Sequence, residues 1–181
     1  QEYRCHMISD KGTLVNSQTI EDIITKDPVK KVGDLSIFVS DIKDRVLMMA
    51  CDVSEGIGQD SHAFQVFDAH TLEQVAEYEN NMMNQTHYAK VIIKAIEYFW
   101  SEGCSELYYT VENNGVGNGV LRLLENATSD ALERSMLVSQ NLTKTGVATT
   151  GKSKAEGCAQ FKDLVEMDKL KINSENLKTQ L

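Results

Sequence analysis

Residues 45–52 read RVLMMACD, residues 62–69 read HAFQVFDA, and residues 72–79 read LEQVAEYE. The first run is apolar almost throughout and stops abruptly at an acid, the pattern of a strand buried on both faces. The next two follow after connections too short for a crossover, which predicts an antiparallel meander of three strands.

Downstream the pattern changes to alternating helix and strand. Residues 87–101 place Ala89, Ile92, Ile93, Ile96 and Phe99 on one helical face. ELYYTVE (106–112) is rich in aromatic and β-branched residues and reads as a strand. A helix over 116–127 carries Val116, Val120, Leu123 and Leu124 in phase, and SMLVSQ (135–140) is another strand. The last helix, over 154–168, buries Ala155, Cys158, Phe161, Leu164 and Val165, and KLKIN (169–173) begins one more strand. The order β-β-β-α-β-α-β-α predicts an α/β fold: a mixed sheet with helices packed on it, of the ribonuclease H type. Upstream, residues 1–44 are mixed and polar, with one or two short strands expected in QEYRCHMISDKGTLV. Pro28 and the KKVGD turn mark a boundary. The expected division is therefore a linker segment over 1–44 and one domain over 45–181.

The 181 residues are 41% hydrophobic and 25% charged, the composition of a soluble globular chain. A net charge of −9 repels polyanions overall, so any contact with nucleic acid has to come from a local basic patch. Cys5, Cys51, Cys104 and Cys158 are scattered without a C-x-x-C pair. That argues against a zinc site or disulfide framework and for buried thiols in a reducing compartment. There is no signal peptide and no apolar run near 18 residues, so a cytoplasmic protein without a membrane partner is expected. The histidines (His6, His62, His70, His87) are dispersed and read as surface or structural groups.

Asp52 ends the first buried strand and Glu112 ends the fourth. If those strands lie side by side and parallel, both carboxylates emerge at one sheet edge, where ligands of open α/β sheets collect. Two adjacent carboxylates raise each other's pKa, and a divalent cation between them removes that cost. Hard oxygen ligands favour Mg²⁺ or Mn²⁺, and such a site suits in-line phosphodiester hydrolysis with two metals. A strand-end acid taken singly is ordinarily a solvated boundary residue. The turns DVSEGIGQD and ENNGVGNG shift that reading, because their glycines let backbone approach a bulky ligand closely.

Three stretches, MMACDVSEGIGQDSHAFQVFDA, TVENNGVGNGVL and TTGKSKAEGCAQFKDLVEMDKLKI, occur in that order over residues 45–181. Together they resemble the nuclease domain of the large terminase of T-even-type tailed phages. The opening QEYRC with GTL resembles the segment where that family's ATPase domain passes into its nuclease domain. The resemblance implies a ribonuclease H-like fold and a metal-dependent endonuclease that cuts concatemeric double-stranded DNA during packaging in the infected cell. It implies Asp52 and Glu112 as metal-binding catalytic acids, with Glu55 and Asp60 as possible accessory acids. It further implies an ATPase domain of the same polypeptide ahead of Gln1, and the portal protein and small terminase subunit as partners. The family's third acid, an Asp downstream of the last helix, has no counterpart before Leu181, so the domain is expected to be truncated there. Asp163 and Asp168 belong to the solvated face of the last helix. The absent acid leaves open a non-catalytic domain of the same fold that docks DNA or portal.

GVATTGKS (146–153) fits the phosphate-loop pattern G-x-x-x-x-G-K-[ST], which raises the alternative of an NTP-binding module. Three observations oppose it. A phosphate loop follows the first strand of a parallel sheet, and this one comes near the end. Ser153-Lys154-Ala155-Glu156 reads as a capping box that leaves Lys152 outside the helix. The apolar phase of that helix starts only at Ala155. No nucleotide-binding residue is therefore assigned. Arg134, Lys144, Lys152 and Lys154 nonetheless stand in a window without a single acid. Lys144, Lys152 and Lys154 are the candidate contacts to DNA phosphate at a helix N-terminus.

Overall fold

The structure, a computed structural model, describes residues 13–54, 60–140 and 144–181. A seven-stranded mixed sheet forms its centre, in the order β1-β2-β5-β4-β3-β6-β7. The strands are β1 (Lys30–Val32), β2 (Leu35–Ile37), β3 (Val46–Asp52), β4 (His62–Asp68), β5 (Gln74–Asn80), β6 (Glu106–Val111) and β7 (Met136–Leu137). The expected meander is β3-β4-β5, antiparallel throughout. β6 then returns beside β3 in parallel, with Cys51 opposite Val111, and β7 continues the parallel half.

Helix α1 (Ser17–Asp22) precedes the sheet, and α2 (Gln85–Ser101), α3 (Gly117–Glu125), α4 (Asp130–Arg134), α5 (Gly151–Glu166) and α6 (Glu175–Thr179) follow along the chain. Asn84 starts α2 by accepting the His87 N–H. The helix then buries Tyr88, Ala89, Ile92, Ala95, Ile96 and Phe99 along one stripe. That stripe packs on Leu47, Met49, Phe64, Val66, Leu107 and Val111 in the main core.

Several expectations need correction. β3 alternates instead of being buried on both faces: Leu47 is fully buried, while Met48 is 39% exposed. Every side chain of the strand is apolar up to Asp52, so composition could not separate the two faces. In α3, Leu121 is buried and Leu123 exposed. The strand expected over 135–140 has two residues, preceded by the short α4 that Ser129 caps. Residues 169–173 contribute one bridge, Lys171 to Glu73, before α6. Residues 30–37, expected to lie in the linker, form a hairpin around Gly33 (φ +61°) and add two strands to the same sheet. Leu35, Ile37, Phe38, Val39 and Ile42 are buried.

A second, small core joins both ends of the described chain: Val15, Val165, Ile172 and Leu181, flanked by Leu14, Ile20, Phe161 and Leu177. The Leu14 N–H donates to the Leu181 carbonyl at 2.7 Å, and the Lys26 N–H to that of Asn173 at 2.9 Å. Buried Gln74 fastens this cluster to β5: its Oε1 accepts the N–H groups of Asn173 and Ser174, each at 2.8 Å. Cys51 and Cys104 are free buried thiols as expected, whereas Cys158 is disulfide-bonded.

Candidate functional site

Parallel pairing of β3 with β6 sets Asp52 and Glu112 at the same level. The Glu112 N–H donates to the Cys51 carbonyl at 2.9 Å, which carries the ladder one residue past the end of β6. On the other side Glu112 bridges Val147 in parallel. The ends of β3 and β6 and the bridged segment at Val147 thus frame one cleft of about 370 Å³, lined by Ala50, Cys51, Asp52, Thr110, Glu112, Val147, Thr149 and Lys154.

The Asp52 carboxyl is pushed up to about 6, first by burial of the carboxyl, then by its hydrogen bond with Glu112 and the charge of that group. The Val53 N–H and the Lys154 charge act in the opposite direction and do not cancel the rise. A pair of carboxylates held close enough to perturb one of them is a partly built ligand set for a hard divalent cation. Among the described residues no third Asp, Glu, His or Cys completes a metal-binding group. Glu55 lies outside the described residues. Asp60 is exposed and does not line the cleft. Asp163 and Asp168 are exposed on and just after α5, as expected.

Two positioning groups were missed in the sequence. Asn114 donates from Nδ2 to Glu112 Oε1 at 2.7 Å and to the Thr149 carbonyl at 3.3 Å, tying the acid to the segment that leads into α5. His62 is fully buried and stacked on Tyr88 with centroids 4.5 Å apart. Its Nδ1 accepts the Ser54 N–H at 3.1 Å and its Nε2 faces the Met83 carbonyl at 3.0 Å. Only the neutral tautomer with hydrogen on Nε2 satisfies both, and it pins the backbone two residues after Asp52. The reading of His62 as structural holds, with the addition that what it braces is the site. Gly117 is equally constrained: a Cβ there would collide with the carbonyl oxygen of Glu112. That close approach accounts for one glycine of ENNGVGNG.

The basic window divides. Arg134 lies over the Trp100 ring, 4.1 Å from its centroid. Lys144 lines a separate polar cavity with Asn113, Asn118 and Arg122. Lys154 alone among the window's cations lines the acidic cleft. α5 begins three residues earlier than expected. Thr150 is its N-cap and Ser153 stands at the third helical position, each hydroxyl accepting the other residue's N–H. The box is therefore Thr150–Ser153, not Ser153–Glu156, because a hydroxyl at the third position does the work expected of the carboxylate. Lys152 consequently lies within the first turn. It is 86% exposed and 3.8 Å from Glu156, turned away from any phosphate cradle.

A larger cavity of about 640 Å³ lies between α5 and the outer face of the sheet, lined by Met48, Phe67, Tyr108, Val138, Phe161 and Leu164 among others. It is apolar and touches the acidic cleft through Ala50 and Thr110, which line both. No helix among the described residues is long and apolar enough to cross a membrane.

Residues 49–180 match the model of a family described as the terminase RNaseH-like domain. Among solved structures, the fold is similar to the large terminase nuclease of thermophilic phage G20c with bound magnesium, at 14% identity and a TM-score of 0.64. That match covers 91% of this chain and 76% of the other. The Thermus phage P74-26 large terminase nuclease domain matches at 13% identity, with coverages of 88% and 72% and a TM-score of 0.59. The human cytomegalovirus terminase nuclease domain, Mn-soaked and inhibitor-bound, matches at 16%, with coverages of 89% and 76% and a TM-score of 0.56. At these identities the likeness is one of fold.

Proposed function

Because the chain belongs to the terminase RNase H-like domain family, we propose that it is the metal-dependent endodeoxyribonuclease domain of a phage DNA-packaging terminase, of the T-even type. The observation that carries this reading is the cleft at the ends of β3 and β6, where Asp52 and Glu112 share one wall and Asp52 titrates near 6. Magnesium is bound in the phage G20c nuclease, and manganese was soaked into the cytomegalovirus one. Both support a divalent cation, Mg²⁺ or Mn²⁺, at this cleft.

In this reading Asp52 and Glu112 hold the cation with the ionised carboxylates that repel each other without it. One or two bound ions supply water activation and charge neutralisation at the phosphate. Asn114 holds the Glu112 carboxylate in a fixed rotamer, and the Val53 N–H favours ionised Asp52. Because the cation competes with a proton at Asp52, metal affinity rises with pH through about 6. Lys144 and Lys152 add phosphate contacts outside the cleft on double-stranded DNA. Residues ahead of β1 connect to the ATPase domain of the same polypeptide, the portal and small terminase subunit are partners, and the host cytoplasm is the setting. Glu55 and Asp60 are accessory candidates in the sequence that follows Asp52. The nucleotide-binding alternative is disfavoured by the outward Lys152.

Plasmid nicking with Mn²⁺ by the complete polypeptide, compared with its Asp52→Asn and Glu112→Gln variants, tests the assignment. Loss of about a thousandfold or more in rate is expected for either substitution. Equal cutting by the variants sinks the nuclease reading and leaves the docking domain.

A further inference from the structure

Lys152 and Lys154 lie two positions apart on α5. On an α-helix that spacing turns the side chains by about 200°, to opposite sides. Lys152 points outward to Glu156, whereas Lys154, brought in by α5, lines the same cleft as Asp52 and Glu112. Among the described residues Lys154 has no carboxylate within 4.0 Å, so its charge is not consumed by an ion pair. Its field still reaches the Asp52 carboxyl. A single cation that shares a cleft with a carboxylate pair, without closing on it, leaves room for an oxyanion between them. With one or more divalent cations held on the acid side, that oxyanion has positive charge on both flanks. The approach of Lys154 is also fixed from behind: the Thr150–Ser153 box sets the first turn of α5, and Asn114 ties the segment entering it to Glu112.

We propose that Lys154 holds a non-bridging oxygen of the phosphodiester being cut, in the gap beside the Asp52–Glu112 pair, while Lys152 contributes only a peripheral phosphate contact outside the cleft. This rests on the nuclease reading and gives Lys154 a task distinct from the rest of the basic window.

The experiment uses the complete polypeptide and a short fluorescent DNA duplex in Ca²⁺, with binding read by anisotropy in wild-type and Asp52→Asn backgrounds. Lys154→Ala is expected to weaken binding about tenfold, and Lys152→Ala about threefold or less. Because Lys154 acts beside the metal site, its effect should shrink in the Asp52→Asn background, while that of Lys152 stays the same. In Mn²⁺ cleavage, Lys154→Ala should lower kcat/KM by about a hundredfold, Lys152→Ala by less than about threefold, and Lys154→Arg should recover part of the loss. Unchanged urea midpoints separate these effects from misfolding. A Lys154→Ala effect equal in both backgrounds, or matched by Lys152→Ala, overturns the proposal. Cleavage by Asp52→Asn at the wild-type rate would defeat the nuclease reading instead, and the binding cycle would still decide Lys154.

Discussion

The two faces of the sheet are built to different standards. On one, Leu47, Phe64, Leu107 and Val111 are at most 1% exposed under α2 and α3. On the other, the same strands present Met48, Ala50, Gln65, Phe67, Tyr108 and Thr110 to a cavity that α5 roofs only in part. Of all the residues of α5, only Val165 is buried. The packed face sets the register of β3 against β6, and register is what brings the two acids level. The loosely roofed face keeps their cleft open. Rigidity and access are thus supplied by opposite sides of one layer.

The sharpest test of that contrast is a pair of truncations. Phe99→Ala empties a fully buried site under the sheet and is expected to cost about 3–5 kcal/mol. Phe161→Ala, beside the outer cavity, should cost about 1 kcal/mol, because the atoms removed already border open space. Equal shifts in urea midpoint would erase the distinction. Gly146→Ala is expected to cost about 2 kcal/mol: its φ is +74°, and a Cβ would meet the Val111 carbonyl oxygen at 2.6 Å. Since Gly146 leads into the bridge between Val147 and Glu112, this variant should also weaken Mn²⁺ binding in calorimetry.

A smaller effect of opposite sign is expected from Asp52→Asn in EDTA. The Asp52 carboxyl rises from 3.8 to about 6 on folding, so between those values the folded state holds more protons than the unfolded one. Stability therefore falls as pH rises through that window, and above it the ionised pair carries its full cost. Asparagine removes that cost. After discounting for the exposed edge of the residue, a gain of about 1 kcal/mol is expected at pH 8 and none at pH 4. Urea melts at the two pH values check it, and a gain independent of pH would point to packing instead.

Much of this architecture was legible in the chain. β4 and α2 announce themselves by strong periods, 2 and 3.6, over seven and seventeen residues. The acids were legible because each interrupts a long apolar run at its end. The β1–β2 hairpin was not, since three-residue strands give a period of 2 too little length to register, and all of β1 is exposed. Its turn, Gly33, was read as a boundary for the same reason. The start of α5 was misplaced because Ser153–Glu156 satisfies the S/T-x-x-E/Q capping pattern, whereas the box that forms, Thr150–Ser153, closes through two hydroxyls that the pattern does not contain. Asn114 and His62 have no local signature at all. Their roles come from partners that the fold brings to them.

The bond from Leu14 to Leu181 joins the two ends of the described chain through the small cluster, which Gln74 fastens to β5. Mechanically, this means that tension applied between those ends is borne first by one hydrogen bond and a handful of side chains. Gln74 passes part of that load to β5, which lies two strands from β3 in the sheet. Such an arrangement hands the pull on the flanks to the β5 side of the sheet, with β4 standing between it and the strand that ends in Asp52.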